Sequence, residues 1–163
     1  ERGTTLVVAS NAGDTLIELI KMQEEFGTNV PMVMVGQAYG YPKQGVNTMT
    51  DERRAELTAA GVHIIHAAHA LSGAERGISR KFSGAYPVEI MAHTLRMFGQ
   101  GTKVCVEIAM MALDNGAIEL GEPVVCVGGS ACGADTACII TPAYTADCLD
   151  TKIHEILCKP GLY

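Results

Sequence analysis

Three short apolar runs, Thr4 to Ala9, Val30 to Val35 and Val62 to Ala67, are separated by two segments of helical period. This alternation constrains the fold more than any other feature of the chain. Val30 to Val35 is apolar without polar alternation, which fits a strand covered on both faces, as in a parallel sheet. Leu16, Leu19, Ile20 and Gln23 recur at helical spacing up to Gly27, a predicted C-cap. Asp51-Glu52 place negative charge on the first turn of a second helix, which ends at Gly61. A βαβαβ opening of this kind predicts an α/β fold: three layers, a mostly parallel sheet with helices on both faces.

Three helical patterns then follow without a strand between them. The first begins at Ser72-Gly73-Ala74-Glu75, which reads as a capping box, with Ala74, Ile78 and Phe82 on one face. The second begins at Pro87, carries Met91, Thr94, Leu95 and Phe98, and stops at Gly99. The third, Lys103 to Asn115, is apolar on most sides and belongs against a sheet. Val124 to Val127 and Thr136 to Ile140 read as strands whose short link permits antiparallel pairing. The tail Thr151 to Cys158 suits a helical turn as well as a strand. The 163 residues fit one domain, spanning 1–163.

Composition narrows the function classes. A net charge of −6 argues against a nucleic-acid partner, which needs a basic footprint. The stretch Pro123 to Ala146 is apolar enough to be compared with a membrane span. Its Gly128-Gly129-Ser130-Ala131-Cys132-Gly133 centre reads instead as a turn between two strands, so no membrane partner is expected. No signal peptide is visible after Glu1-Arg2-Gly3, and none of the six cysteines is spaced C-x-x-C; both features predict reduced thiols and a cytoplasmic location. The start without Met leaves room for a missing N-terminal element.

Two small-residue loops carry the expected chemistry. Ser10-Asn11-Ala12-Gly13-Asp14-Thr15 joins the first strand to the first helix, where backbone N–H groups and the helix dipole favour an anion. An ordinary N-cap would use the same residue types. Gly128 to Thr136 follows a later strand, and in a parallel sheet both loops reach the same carboxyl edge, at a topological switch point. The alternative is a tight connection whose glycines serve only positive φ. Neither a dinucleotide GxGxxG nor a Walker A motif is present. Residues 72 to 103 form a basic island, with Arg76, Arg80, Lys81, Arg96 and Lys103 against Glu75 and Glu89. Arg76 and Arg80, one turn apart, could clamp a phosphate or simply face solvent. His63, His66 and His69 have a spacing that alternates faces in a strand, which argues against metal; His69 falls past the strand's end, beside the expected pocket. Cys132 is the one cysteine in a Gly-rich loop, where a thiol is accessible. No nucleophile elbow or Ser/His/Asp spacing appears, so catalytic residues stay unassigned. The residues Gly36 to Thr50, with Tyr39-Gly40-Tyr41-Pro42, form a loop long enough to be functional.

His69-Ala70-Leu71-Ser72-Gly73-Ala74-Glu75-Arg76, Ser79-Arg80-Lys81-Phe82, Tyr86-Pro87-Val88-Glu89, Thr94 to Gly101, Lys103-Val104, Val106-Glu107-Ile108, Gly133-Ala134-Asp135-Thr136-Ala137 and Lys159-Pro160 together resemble the "pyruvate kinase alpha/beta domain" proteins of archaea and bacteria. The resemblance runs from Thr4 almost to the end. It implies a fold like the C-terminal domain of pyruvate kinase, with a five-stranded mixed sheet whose last strand is antiparallel. In that domain the loop corresponding to Ser10 to Thr15 holds a sugar phosphate. It also implies flavin mononucleotide as cofactor, a phosphorylated small molecule as partner, and a homo-oligomer. Pyruvate kinase activity is not implied, because the phosphate-transferring barrel is absent from that family. Its chains begin with a further strand and helix, and carry Thr-His where this chain has Gly36-Gln37. The expected function is therefore flavin mononucleotide binding, its reaction unassigned and flavin-dependent oxidoreduction one class open to it; the alternative is a non-catalytic sensor of a phosphorylated metabolite. The expected cofactor-binding residues are Ser10, Asn11, Gly13, Thr15, Gly36, Ser72, Gly73, Arg76, Gly128, Gly129, Ser130, Gly133, Asp135 and Thr136.

Overall fold

The computed structural model describes residues 4–40 and 43–161. Tyr41-Pro42, within the predicted long loop, lies outside the described residues. The chain runs β1 (Leu6–Ala9), α1 (Asp14–Phe26), β2 (Met32–Gln37), α2 (Asp51–Ala59), β3 (His63–Ala67), α3 (Gly73–Phe82), α4 (Pro87–Arg96), α5 (Gln100–Asp114), β4 (Val124–Gly128), β5 (Thr136–Thr141), a 3-10 turn (Thr145–Asp150) and β6 (Lys152–Cys158).

The strands form one mixed sheet in the order β3-β2-β1-β4-β5-β6. β3, β2, β1 and β4 are parallel, β5 is antiparallel to β4, and β6 is antiparallel to β5. The expected α/β class holds, but the sheet has six strands rather than five. The extra strand is the tail that sequence left open: β6 is exposed along almost its whole length, so no burial imposes a clean apolar alternation on it.

Two cores explain the layers. On one face Val8, Met32 and Met34 pack with Leu16 of α1 and Leu57 of α2. On the other, Val7, Val33, Val35 and Ile65 meet α5, joined by Ala92 of α4, and the same cluster takes in Cys126 and Ile140 from β4 and β5. Twelve of the fifteen α5 residues are buried, as its all-round apolar sequence predicts. Close contact with the sheet is set by glycine: a Cβ on Gly101 would come within 2.0 Å of Thr136 Oγ1.

The capping box expected at Ser72 does not form. Ser72 makes no side-chain cap. The Glu75 carboxylate instead accepts from the Val88 and Glu89 N–H groups, at 3.3 and 2.9 Å, and so caps the next helix, α4. Tertiary proximity supplied a better donor pair than the local one. Likewise the expected apolar face of α3 is not core, since Ile78 and Phe82 are exposed.

Candidate functional site

Order β2-β1-β4 means that the chain leaves β1 toward one side for β2 and β3, and returns on the other side with β4. The loops that leave the adjacent carboxyl ends of β1 and β4 therefore diverge, and a crevice opens between them. A cavity of about 520 Å³ occupies this place, within the range of small-molecule sites. Ser10, Asn11, Asp14 and Thr15 line it after β1, Val35, Gly36 and Gln37 at the end of β2, and Gly129 to Gly133 after β4. α5 closes it with Gln100, Val104, Glu107, Ile108 and Met111, and His69 enters from the β3–α3 loop.

Seven of the expected residues thus meet at one cavity: Ser10, Asn11, Thr15, Gly36, Gly129, Ser130 and Gly133. Their local chemistry is legible. Ser10 Oγ accepts from the Gly13 N–H at 3.1 Å, turning the chain into α1. Gly13 takes the left-handed conformation there (φ 92), and no side chain caps the helix. Among the described residues no hydrogen bond engages the N–H groups of Asp14 and Thr15, which leaves the first turn of α1 open to an acceptor. Asn11 is partly committed: its Oδ1 accepts from the Gln37 N–H at 3.2 Å, tying the first loop to the end of β2.

The other expected residues lie elsewhere. Gly13 faces α2, where a Cβ would meet Leu57 Cδ1 at 2.8 Å, and Gly128 faces α5, where a Cβ would meet the Gly101 carbonyl at 3.0 Å. Asp135 and Thr136 hold the second loop in shape. Asp135 Oδ2 accepts from both the N–H and Oγ of Ser130, at 3.1 and 2.8 Å, and Oδ1 accepts from Thr136 Oγ1 at 2.6 Å. These donors keep the Asp135 carboxyl below its ordinary range, with the Thr136 hydroxyl the largest cause. Ser72 and Gly73 line a second cavity of about 350 Å³, which also contains Glu75, Asp114 and His69. Arg76 lies in neither cavity's wall and is exposed on α3.

Gly36 has a further role. A Cβ there would stand 2.7 Å from His66 Nδ1, so glycine makes room for this ring. His66 Nδ1 lies 3.0 Å from the Gln37 carbonyl, and its Nε2 3.2 Å from an Arg54 guanidinium nitrogen. Because Arg54 can only donate, Nε2 accepts and Nδ1–H donates to the carbonyl. Burial, more than the neighbouring Arg54 charge, lowers the His66 pKa and keeps the ring neutral.

The wall contributed by α5 holds a group that sequence reading missed. Glu107 is 1% exposed. Its Oε1 accepts from the Leu71 N–H at 2.9 Å, and its Oε2 lies 2.5 Å from Lys103 Nζ and 3.1 Å from His69 Nδ1. Burial pushes the carboxyl up, but the bonds and charges of His69 and Lys103 outweigh it and bring the pKa to about 2. Lys103 is itself lowered, by burial first, with Glu107 opposing and the charges of Arg96 and Arg76 adding to the fall. We take the pair as ionised, since three donors converge on the carboxylate. The signal was present as a Lys-x-x-x-Glu pair inside an otherwise apolar helix. No protein-family model matches the chain.

Proposed function

We propose that the cavity binds a phosphorylated small molecule, and that flavin mononucleotide is the ligand that fills it, as the resemblance to the pyruvate kinase alpha/beta-domain proteins implies. The observation that carries this reading is the meeting of two loops at the switch point: the open first turn of α1 and the Ser130 loop border one cavity. The phosphate would rest on the Asp14 and Thr15 N–H groups and the Ser10 and Thr15 hydroxyls. Val35, Val104, Ile108 and Met111 offer an apolar wall for a flat ring, and Gly129 and Gly133 let it approach the backbone. The volume of about 520 Å³ suits a mononucleotide. When bound, a flavin supplies hydride and single-electron transfer, which makes oxidoreduction the reaction class.

The purified protein should show the two visible absorption bands of an oxidised flavin, or acquire them on reconstitution. Thr15→Ala, which removes a hydroxyl that bonds to no other described residue and keeps a helix-forming side chain, should weaken flavin mononucleotide binding by about 1–2 kcal/mol in titration calorimetry. Riboflavin, lacking the phosphate, should not feel this change. Equal losses for both ligands would refute the phosphate assignment.

A second reading has its own support. Thr48 Oγ1 donates to the Asn11 carbonyl at 3.2 Å, and Asn11 also holds Gln37, so the cavity's first loop is tied to both ends of the β2–α2 connection. A phosphorylated metabolite bound at Asn11 would be felt there, as a sensor requires. Saturable binding of a sugar phosphate without flavin would favour this reading.

A further inference from the structure

We propose that His69 is the acid–base residue of this cavity, accepting a proton from a hydroxyl of a phosphorylated ligand whose phosphate rests on the N-terminus of α1. The ligand class rests on the reading above; the role of His69 rests on its own geometry. An ionised carboxylate only accepts hydrogen bonds, and Glu107 already receives the Leu71 N–H and Lys103 Nζ. The ring nitrogen 3.1 Å from Oε2, Nδ1, therefore carries the hydrogen. A neutral imidazole with hydrogen on Nδ1 has its lone pair on Nε2, and among the described residues nothing bonds to that atom. His69 lines both the larger and the smaller cavity, and its side chain is 46% exposed.

A purely structural account explains less. The Lys103–Glu107 pair is already neutral, and a buried pair is seldom more stabilising than apolar residues of the same size. It does not require a half-exposed histidine on the same oxygen. A carboxylate anchored by a backbone N–H, orienting one imidazole nitrogen and freeing the other, is what an acid–base group needs. In the step itself the ligand's O–H bond breaks, its electron pair stays on oxygen, and the N–H bond forms at Nε2. The imidazolium so formed faces the Glu107 carboxylate, and the reverse step returns the proton. The surrounding charges come from several elements: Glu107 and Lys103 on α5, Arg96 on α4, Arg76 and Glu75 on α3, and Asp14 on α1.

Nitrogen-15 NMR of the histidine rings in the full chain at pH 8 tests this, with the His69 signals identified by their loss in His69→Asn. The expected spectrum has hydrogen on Nδ1 and a bare Nε2. Flavin mononucleotide and inorganic phosphate are then added as probes while the Ser10–Thr15 amides are followed, together with acylation of His69 by diethyl pyrocarbonate, which attacks a bare imidazole nitrogen. At about 90% occupancy by flavin mononucleotide the acylation rate should fall about tenfold. A His69 ring carrying its hydrogen on Nε2 overturns the proposal whether or not the amides shift. Amides that shift while His69 keeps its signals and its rate also overturn it, and leave the anion site standing. If neither probe moves the amides, the anion site fails and the assigned ligand class falls with it.

Discussion

Glu107 concentrates the energetic consequences of this fold in one side chain. Its carboxyl, held near 2 against an ordinary value of 4.5, is a depressed acid. Such a group contributes stability that is fully present above the unfolded value and is lost as pH falls through the folded one. Lys103 works in the opposite sense: burial lowers it, so keeping it charged costs stability at neutral pH, and that cost is relieved only as pH rises. Relative to Glu107→Gln, the wild type should be more stable at pH 7 by on the order of 3 kcal/mol. Urea unfolding from pH 7 down to pH 2 should show that gap closing between about pH 4.5 and 2. A gap independent of pH would mean that the carboxylate's charge is not what matters. At this scale the sequence is unevenly legible. Ser10, Asn11 and Ser130 declared themselves by loop chemistry, and His69 by its place past a strand. Glu107 did not, because one acid four residues from a lysine on an apolar helix looks like a helix pair until the β3–α3 loop arrives at the same oxygens. Gly13 and Gly128 were legible as special positions, but not as facing α2 and α5, since glycine records a close approach without naming what approaches.

Among the elements, β1 to β5 and the five helices were foreseen by periodicity and by Gly, Pro and acidic boundary residues, with ends shifted by a few residues. α5 begins at Gln100 rather than Lys103, for instance, and α4 ends at Arg96 before Gly99. What periodicity could not supply is which elements cap one another. Glu75 sits where a capping box would use it locally, yet its oxygens serve the start of α4, whose own N-cap, Tyr86, offers no side-chain bond. Glu75→Ala should therefore destabilise the fold by about 1 kcal/mol, the usual value of a lost cap. Hydrogen exchange should locate the damage at the Val88 and Glu89 amides, at the start of α4. Faster exchange confined to the first turn of α3 would instead restore the capping box that the sequence predicts. The same contact aligns α3 with α4, the helices that carry the exposed Ile78, Phe82 and Ile90.

In the molecule as a whole, the βαβαβ opening implied a mostly parallel sheet, and the two small-residue loops after β1 and β4, expected on one carboxyl edge, border the same cavity. The remaining strand was illegible for a physical reason: β6 hangs on β5 with little covering it, and only burial writes a pattern into a strand. That leaves a seven-residue edge carrying Ile153 and Leu157 at 41% and 47% exposure, beside Leu149 at 83%. Edge strands of soluble proteins are normally short, charged, bulged or covered. Here register shifts lie between Ala137 and Cys138 and between Ile139 and Ile140, and Lys152 and Glu155 supply charge, yet the apolar side chains remain exposed. A second copy of the chain would cover them, in keeping with the homo-oligomer implied by the family resemblance, and two copies related by a two-fold axis make the simplest closed arrangement. Light scattering at micromolar concentration should then give a mass above the 17.2 kDa of one chain. Ile153→Lys and Leu157→Lys, both at exposed positions that leave the core untouched, should together shift the population toward one chain while the far-ultraviolet circular dichroism stays unchanged. A wild type of one-chain mass would refute the assembly, and an oligomer indifferent to both substitutions would move the interface from β6 to the exposed faces of α3 and α4.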